Sequence, residues 1–271
     1  MIDGGHIGMV FSDVDGTLVG ADHHAIPQSA STIQKVAAHI PFCLVSARSP
    51  EGLYPIQRDL GFTGPLACYS GAYVLDEKGN ELLSHVIPTT MALEVKHLVA
   101  NLYPSITVGT YGFHNWLVDN RQDARVQHEE FLVQTTAREC ADLEGVFADK
   151  GVHKLLLMGD EADIALAEDE LGARFATLNV VRSSAILCEI MAKEADKGSA
   201  VRLLCEHYGV DTTRALAFGD GPNDIDMLRA VGCSCAMANA EAVVKDVADA
   251  VLPWTNEECG VAKELERRML A

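Results

Sequence analysis

Short apolar runs that stop on a polar side chain lie toward both ends of this chain, and a different pattern fills the middle. IGMVFSD, PFCLVSA and RALAFGD carry no helical period, and each reads as a buried strand. PQSASTIQKVAAHI separates the first two, with Pro27 near a helix start and apolar residues at helical spacing. PEGLYPIQRDLG predicts a helix closed by Gly61, although Pro55 sits awkwardly in its early part. PLACYSGAYVLDEKGNELL predicts two short strands, with a hairpin turn at Lys78-Gly79-Asn80. Strand–helix–strand units of this kind require a parallel sheet with helices on both faces.

After about residue 80 helices at 90–101, 121–136 and 161–172 alternate with more polar strands. Those strands are SITVGTYG, HNWLVD, VHKLLLMGD, RFATLNVVRSS and AILCEIMA. One polar face per strand suits an open sheet covered on one side. From about residue 197 the first texture resumes, with KGSAVRLLCEHYG, NDIDMLRAVG, AEAVVKDVADA and ECGVAKELERRML as helices and RALAFGD and CSCAMA as strands. The expected architecture is α/β: a Rossmann-like doubly wound core from 1–80 and 187–271, split by an inserted α+β domain at 81–186.

The chain of 271 residues is long enough for two domains with real cores. Its 39 acidic against 21 basic residues give a formal charge of -18, a field that repels phosphate backbones and anionic lipid. Nucleic acid and membrane are therefore not expected partners, and no apolar stretch approaches the length of a membrane span. The N-terminus lacks a basic lead and a cleavage site. The eight cysteines form no CxxC pair, and several sit in apolar runs, as reduced thiols of a cytoplasmic protein do. Monomer and homodimer both stay open.

Within VFSDVDGTLV, Asp13 and Asp15 stand two apart at a strand end, a spacing that puts both on one face. Two carboxylates held close must share a proton or bind a cation, and a hard divalent ion such as Mg2+ fits oxygen ligands. Gly16 permits tight backbone geometry, and Thr17 adds a hydroxyl. RALAFGDGPNDIDML ends a second strand on Asp220, which can complete a three-oxygen site. Asn223 and Asp224 follow on a Gly-Pro turn, where Asp224 also suits a helix cap, while Asp226 reads as an ordinary first-turn acid. LVSARS places the Ser46 hydroxyl and the N–H groups of Ala47 and Arg48 at a third strand tip, a cradle for phosphate oxygens. Lys197 begins a helix, where its charge opposes the dipole unless it points at an anion.

This ordered set, DVDGTL, VSAR, Lys197 and GDGPND, resembles the haloacid dehalogenase-like hydrolase superfamily, and SGAYVLDEKGNELL, MANAEAVVKDVADAVL and TNEECGVAKEL resemble its Cof-type branch. The resemblance implies a phosphatase for a small phosphorylated metabolite, a sugar phosphate first among them, with a cap that closes over the leaving group. By resemblance Asp13 is the nucleophile that forms an aspartyl phosphate, and Asp15 is the general acid and then base. Asp13, the Asp15 backbone carbonyl and Asp220 would bind Mg2+, with Asp224 behind them supporting the metal site or Lys197. Ser46, Ala47, Lys197 and Asn223 would hold the phosphoryl group. The chain departs from the family pattern at Ser46-Ala47, where Thr-Gly is usual, at Ser70, where Asn is usual, and at Cys259, where Asp is usual.

Other residues carry weaker signals. Asp22-His23-His24 read as a solvated loop that could gate the site. Tyr111, His114 and Trp116 read as packing of the inserted sheet, with stacking on a sugar or base as the alternative. Arg121 and Arg125 stand one helical turn apart and could meet a second anionic group. Two further functions fit the same motifs: a phosphohexomutase of the same superfamily, and a catalytically silent phosphate-ligand-binding protein.

Overall fold

The computed structural model of the protein describes residues 7–270. The chain opens with β1 (Met9–Ser12), α1 (Pro27–Ala37), β2 (Phe42–Val45), α2 (Pro50–Leu60), β3 (Leu66–Cys68), β4 (Tyr73–Leu75) and β5 (Glu81–Ser84). There follow α3 (Thr89–Leu102), β6 (Thr107–Gly112), β7 (Asn115–Val118), α4 (Ala124–Val133), β8 (Arg138–Glu139), α5 (Leu143–Phe147), β9 (Lys154–Met158), α6 (Glu161–Arg174), β10 (Leu178–Ser184) and β11 (Leu187–Ala192). The last stretch holds α7 (Lys197–His207), β12 (Ala215–Gly219), α8 (Ile225–Arg229), β13 (Cys233–Ala236), α9 (Ala242–Lys245), β14 (Ala250–Val251) and α10 (Gly260–Leu265).

Two compact units result. One comprises the chain up to Arg48, Gly52–Leu83 and the chain from Asp196 onward; the other comprises Ser49–Glu51 and Ser84–Ala195. In the first unit an eight-stranded sheet runs β14-β13-β12-β1-β2-β3-β4-β5. β14, β13, β12, β1, β2 and β3 pair in parallel, and β4 reverses against β3. All four residues of β1 and β2 and all five of β12 are buried, so neither face meets water. Strand order runs outward from β1 one way for β2 and β3 and the other way for β12, β13 and β14. The reversal lies between β1 and β12, where an open parallel sheet leaves a crevice beyond its carboxyl ends.

PLACYSGAYVLDEKGNELL makes three short strands rather than the two expected. Tyr69, Ser70 and Gly71 have φ of +50°, +55° and +93°, a left-handed run that ends β3 and turns the chain back as β4. A side chain on Gly71 would lie 2.4 Å from the Asp196 carbonyl oxygen, so only glycine fits there.

The second unit is a six-stranded sheet in the order β10-β11-β9-β6-β7-β8. Val95 and Val99 of α3, Ile164 and Leu171 of α6, and Leu117, Leu155, Leu157 and Ile190 of the sheet are all buried in its core. The expected insert boundary at residue 186 shifts. β11 pairs with β10 on one side and β9 on the other, so the unit extends to Ala195. The expectation of one polar face fails in both directions: the last four residues of β10 are exposed in succession, on both faces, and β9 is buried throughout. Among the described residues, no helix is long and apolar enough to cross a membrane.

Candidate active site

The tips of β1, β2 and β12 and the first residue of α7 bring the chemistry together. Asp13 follows β1 directly, and its N–H extends the ladder to the Phe218 carbonyl oxygen at 3.0 Å. Its Oδ1 accepts from Lys197 Nζ at 2.6 Å, and the same ammonium donates to Asp224 Oδ1 at 2.6 Å. All three side chains are essentially out of water. Burial alone works against the Lys197 charge, but Asp13 and Asp224 overcome it and push its pKa upward.

Asp220, beyond β12, joins Asp13 and Asp224 in a group whose carboxylate oxygens lie within 4.8 Å of one another. Thr17 Oγ1 donates to Asp220 Oδ1 at 2.7 Å. Gly16 has φ +79°, and a Cβ there would lie 2.2 Å from Asp220 Oδ2. Glycine therefore leaves open the space beside that oxygen. Burial, then Asp224, pushes the Asp220 pKa up to about 6 despite the Thr17 hydrogen bond. Burial followed by repulsion from Asp224 raises Asp13 as well. Three carboxylates thus face one ammonium, and a divalent cation would close that balance. Every donor is a hard oxygen, which suits Mg2+ and not a soft metal.

Asp224 supports Lys197 but makes no side-chain cap to the helix that follows it. Its Oδ1 serves Lys197, while Oδ2 accepts the N–H groups of Asp220 at 2.9 Å and Gly221 at 3.0 Å, fixing the turn into α8. With both oxygens engaged it orients Lys197 and the Asp220 loop. Asn223 stands exposed on the same turn.

The expectation that Asp13 and Asp15 share a face rests on strand alternation, which ends before both residues. β1 ends at Ser12, and the chain turns at Val14, whose carbonyl accepts the N–H groups of Thr17, Leu18 and Val19. The alternation of a strand no longer applies. Asp15 points to Arg48, which donates from Nε to Oδ2 at 2.8 Å and from Nη2 to Oδ1 at 2.6 Å, and to His23 Nδ1 at 2.9 Å. Burial would raise its pKa, but the His23 and Arg48 hydrogen bonds outweigh burial and hold it well below the carboxylate range. Arg48 Nη1 is buried with no hydrogen-bond partner among the described residues, and an incoming anion would satisfy it.

Arg48 and His23 are the contributors the sequence undervalued. The sequence points only to the backbone N–H of Arg48, and it puts His23 in a solvated loop that could gate the site. His23 adopts φ +60°, unusual outside glycine. The arginine directly after a hydroxyl at a strand tip was the available signal; the histidine had none. Ser46 is buried, and its Oγ accepts the Arg48 N–H at 3.2 Å. The left-handed run braces this tip: Ser70 N–H donates to the Ser46 carbonyl at 2.9 Å and Tyr69 N–H to that of Arg48 at 3.0 Å. Ala47 lies between them.

Other singled-out residues lie in the inserted unit and do structural work. Arg125 is taken up by Asp123, Thr107 and the carbonyls of Ser105 and Met158, and Arg121 by Glu130 and Glu139. Tyr111 and Trp116 stack at 5.1 Å, both buried.

Comparison with known proteins agrees with this geometry. The family profile described as haloacid dehalogenase-like hydrolase matches residues 10–265. A Haemophilus influenzae protein named "Putative phosphatase" is 35% identical over 263 residues, covering 96% of this chain and 97% of its own. The HMP-PP phosphatase of Serratia proteamaculans is 28% identical, covering 84% of this chain and 82% of its own. A solved haloacid dehalogenase-like hydrolase from Bacteroides thetaiotaomicron superposes with a TM-score of 0.88 at 28% identity, covering 96% of this chain and 98% of that one. The chain belongs to the haloacid dehalogenase-like hydrolases.

Proposed function

We propose that this hydrolase is a Mg2+-dependent phosphatase that cleaves a small phosphorylated metabolite through a phosphoryl group carried on Asp13. The observation that carries this reading is the buried Lys197 ammonium held between Asp13 and Asp224, with Asp220 beside them at the sheet's switch point. A divalent cation held by Asp13, Asp220 and the Asp15 carbonyl would supply charge for phosphate oxygens. Asp13 attacks phosphorus, a P–O bond forms, and the bond to the leaving oxygen breaks. Lys197, the Ser46 hydroxyl, the Ala47 N–H, Asn223 and the spare Arg48 donor hold the phosphoryl oxygens. Asp15 gives the leaving oxygen its proton, then removes one from the water that splits the aspartyl phosphate and frees Asp13. Both Asp15 oxygens are clamped here, so letting go of Arg48 and His23 is the step that arms it. The inserted unit carries substrate selection. The Bacillus subtilis relative named 5-amino-6-(5-phospho-D-ribitylamino)uracil phosphatase, at 27% identity, supports a small phosphate ester as substrate.

The test is phosphate release across sugar, nucleotide and cofactor phosphates, with Mg2+ and with chelator. Asp13→Asn is expected to lower turnover by at least about a thousandfold with an unchanged circular dichroism spectrum. Activity retained in that variant overturns the mechanism, and isomerisation of a hexose phosphate without phosphate release would indicate a mutase.

A further inference from the structure

β1, β12, β13 and β14 run parallel, so the loops that follow them leave the same end of the sheet. Asn239 stands on the loop after β13 and Asn256 on the loop after β14. Neither has a role in the chemistry proposed above, and both side chains end on the loop that follows β1. Asn239 Nδ2 donates to the Gly16 carbonyl at 2.7 Å. Its Oδ1 accepts the Asn256 N–H at 3.1 Å. Asn256 Nδ2 then donates to the Val19 carbonyl at 2.8 Å. A carboxamide presents its donor and its acceptor on separate atoms, and an aspartate at 239 would set a carboxylate against the Gly16 carbonyl.

The two carbonyls so held flank the freedom of Asp15. Gly16 follows Asp15 directly and has φ +79°, a glycine hinge with wide backbone latitude. Holding its carbonyl fixes the peptide between Gly16 and Thr17. Val19 closes the root of the next hairpin through its bridge to Ala25, with the Gly20 N–H on the His24 carbonyl at 3.0 Å. That hairpin brings His23 Nδ1 to Asp15. One amide therefore steadies the turn on which Asp15 rides, and the other steadies the root of the hairpin that clamps it.

We infer that Asn239 and Asn256 are positioning residues for Asp15 as proton donor to the leaving oxygen, an inference that rests on the phosphatase reading above. In that step the P–O bond to the leaving group breaks, its electron pair stays on oxygen, and the Asp15 proton moves to that oxygen and leaves a carboxylate behind. Such a transfer depends steeply on placement, and an error of about 1 Å costs up to about a hundredfold. Gly16 released from Asn239 gives Asp15 that latitude. Asp13 is anchored otherwise, by its N–H on the Phe218 carbonyl and by Lys197, and neither bond involves the amide pair. Loss of the pair should therefore weaken protonation of the leaving group more than attack on phosphorus.

The test compares two aryl phosphates that differ in the leaving oxygen. 4-Nitrophenolate departs without a proton, whereas phenolate, as basic as tyrosinate with a pKa of about 10, needs one. The quantity read is kcat/KM in Mg2+, which covers the steps up to departure of the phenol and not the later hydrolysis of the aspartyl phosphate. Asn239→Ala and Asn256→Ala are each expected to lose about tenfold more on phenyl phosphate than on 4-nitrophenyl phosphate, with an unchanged circular dichroism spectrum. Asn239→Asp keeps the size and the acceptor for Asn256, and it should show the same difference because the bond to Gly16 is lost. Equal losses on the two esters overturn the inference and leave the phosphatase reading standing, as do variants equal to the parent on both. A parent that releases phosphate neither from these esters nor from sugar, nucleotide and cofactor phosphates removes the phosphatase reading itself.

Discussion

At the scale of single residues, Lys197 binds stability to chemistry. Its ammonium is buried between two carboxylates, so removing it leaves Asp13 and Asp224 facing each other without a counter-ion. Lys197→Met is expected to cost about 3–5 kcal/mol in chemical unfolding and to abolish turnover; a variant as stable as the parent contradicts the assigned pairing. Asp13 and Asp220 were legible because strand-end residues have few places to go, and Lys197 because its charge at a helix start opposes the dipole unless it faces an anion. The orientation of Asp15 was not, because the turn at Val14 ends the alternation, and neighbour chemistry decides where the carboxylate points. Two departures from the family pattern now have a shared physical sense. Ser70 and Cys259 have φ of +55° and +59°, a region that Asn and Asp tolerate better than other side chains. Ser70→Asn and Cys259→Asp should each stabilise by on the order of 0.5 kcal/mol, read as a raised denaturant midpoint with unchanged slope.

At the scale of elements, buried runs were easier to read than boundaries. β1, β2 and β12 announced themselves as continuous apolar strands, since parallel strands are covered on both faces. β11 was legible as a strand of the inserted pattern, but the boundary at 186 cut it off, because sequence texture does not fix the residue at which one domain ends. Its partners are β9 and β10, so it lies inside the sheet of the inserted unit. A fragment of 84–195 is therefore expected to fold alone, with a cooperative thermal transition. A fragment of 81–186 loses β11, leaving β9 as an open edge and β10 without a neighbour, and should aggregate or stay unfolded. Equal cooperativity in the two fragments would contradict the boundary at Ala195. Short helices such as α5 and α9 carry too few residues to show a period, and local capping sets their extent, as where the Asp142 carboxylate accepts the Gly145 N–H at 2.7 Å.

At the scale of the whole molecule, a net charge of -18 and a three-carboxylate centre make stability depend jointly on pH and on cation. Asp220 binds its proton more tightly folded than unfolded, since burial and Asp224 raise it to about 6. Its contribution favours the folded state below about pH 4 and is lost as pH rises through about 6. Asp13 shifts in the same direction. Asp15 and Asp123 act oppositely: partners lower both, so their stabilisation is present above the ordinary carboxylate range and lost on acidification below it. The cation-free protein should therefore lose stability from both sides. Mg2+ binds only ionised carboxylates, so it must displace protons from Asp220 and Asp13 at low pH but not at high pH. The rise in melting temperature on adding Mg2+ at constant ionic strength should be larger at about pH 7.5 than at about pH 5. Asp220→Asn should remove most of the difference, because one titrating ligand is gone, while general screening of the acidic surface stays the same. A Mg2+ shift equal at both pH values, or equal in parent and variant, would mean that the ion acts on the surface charge and not on this centre.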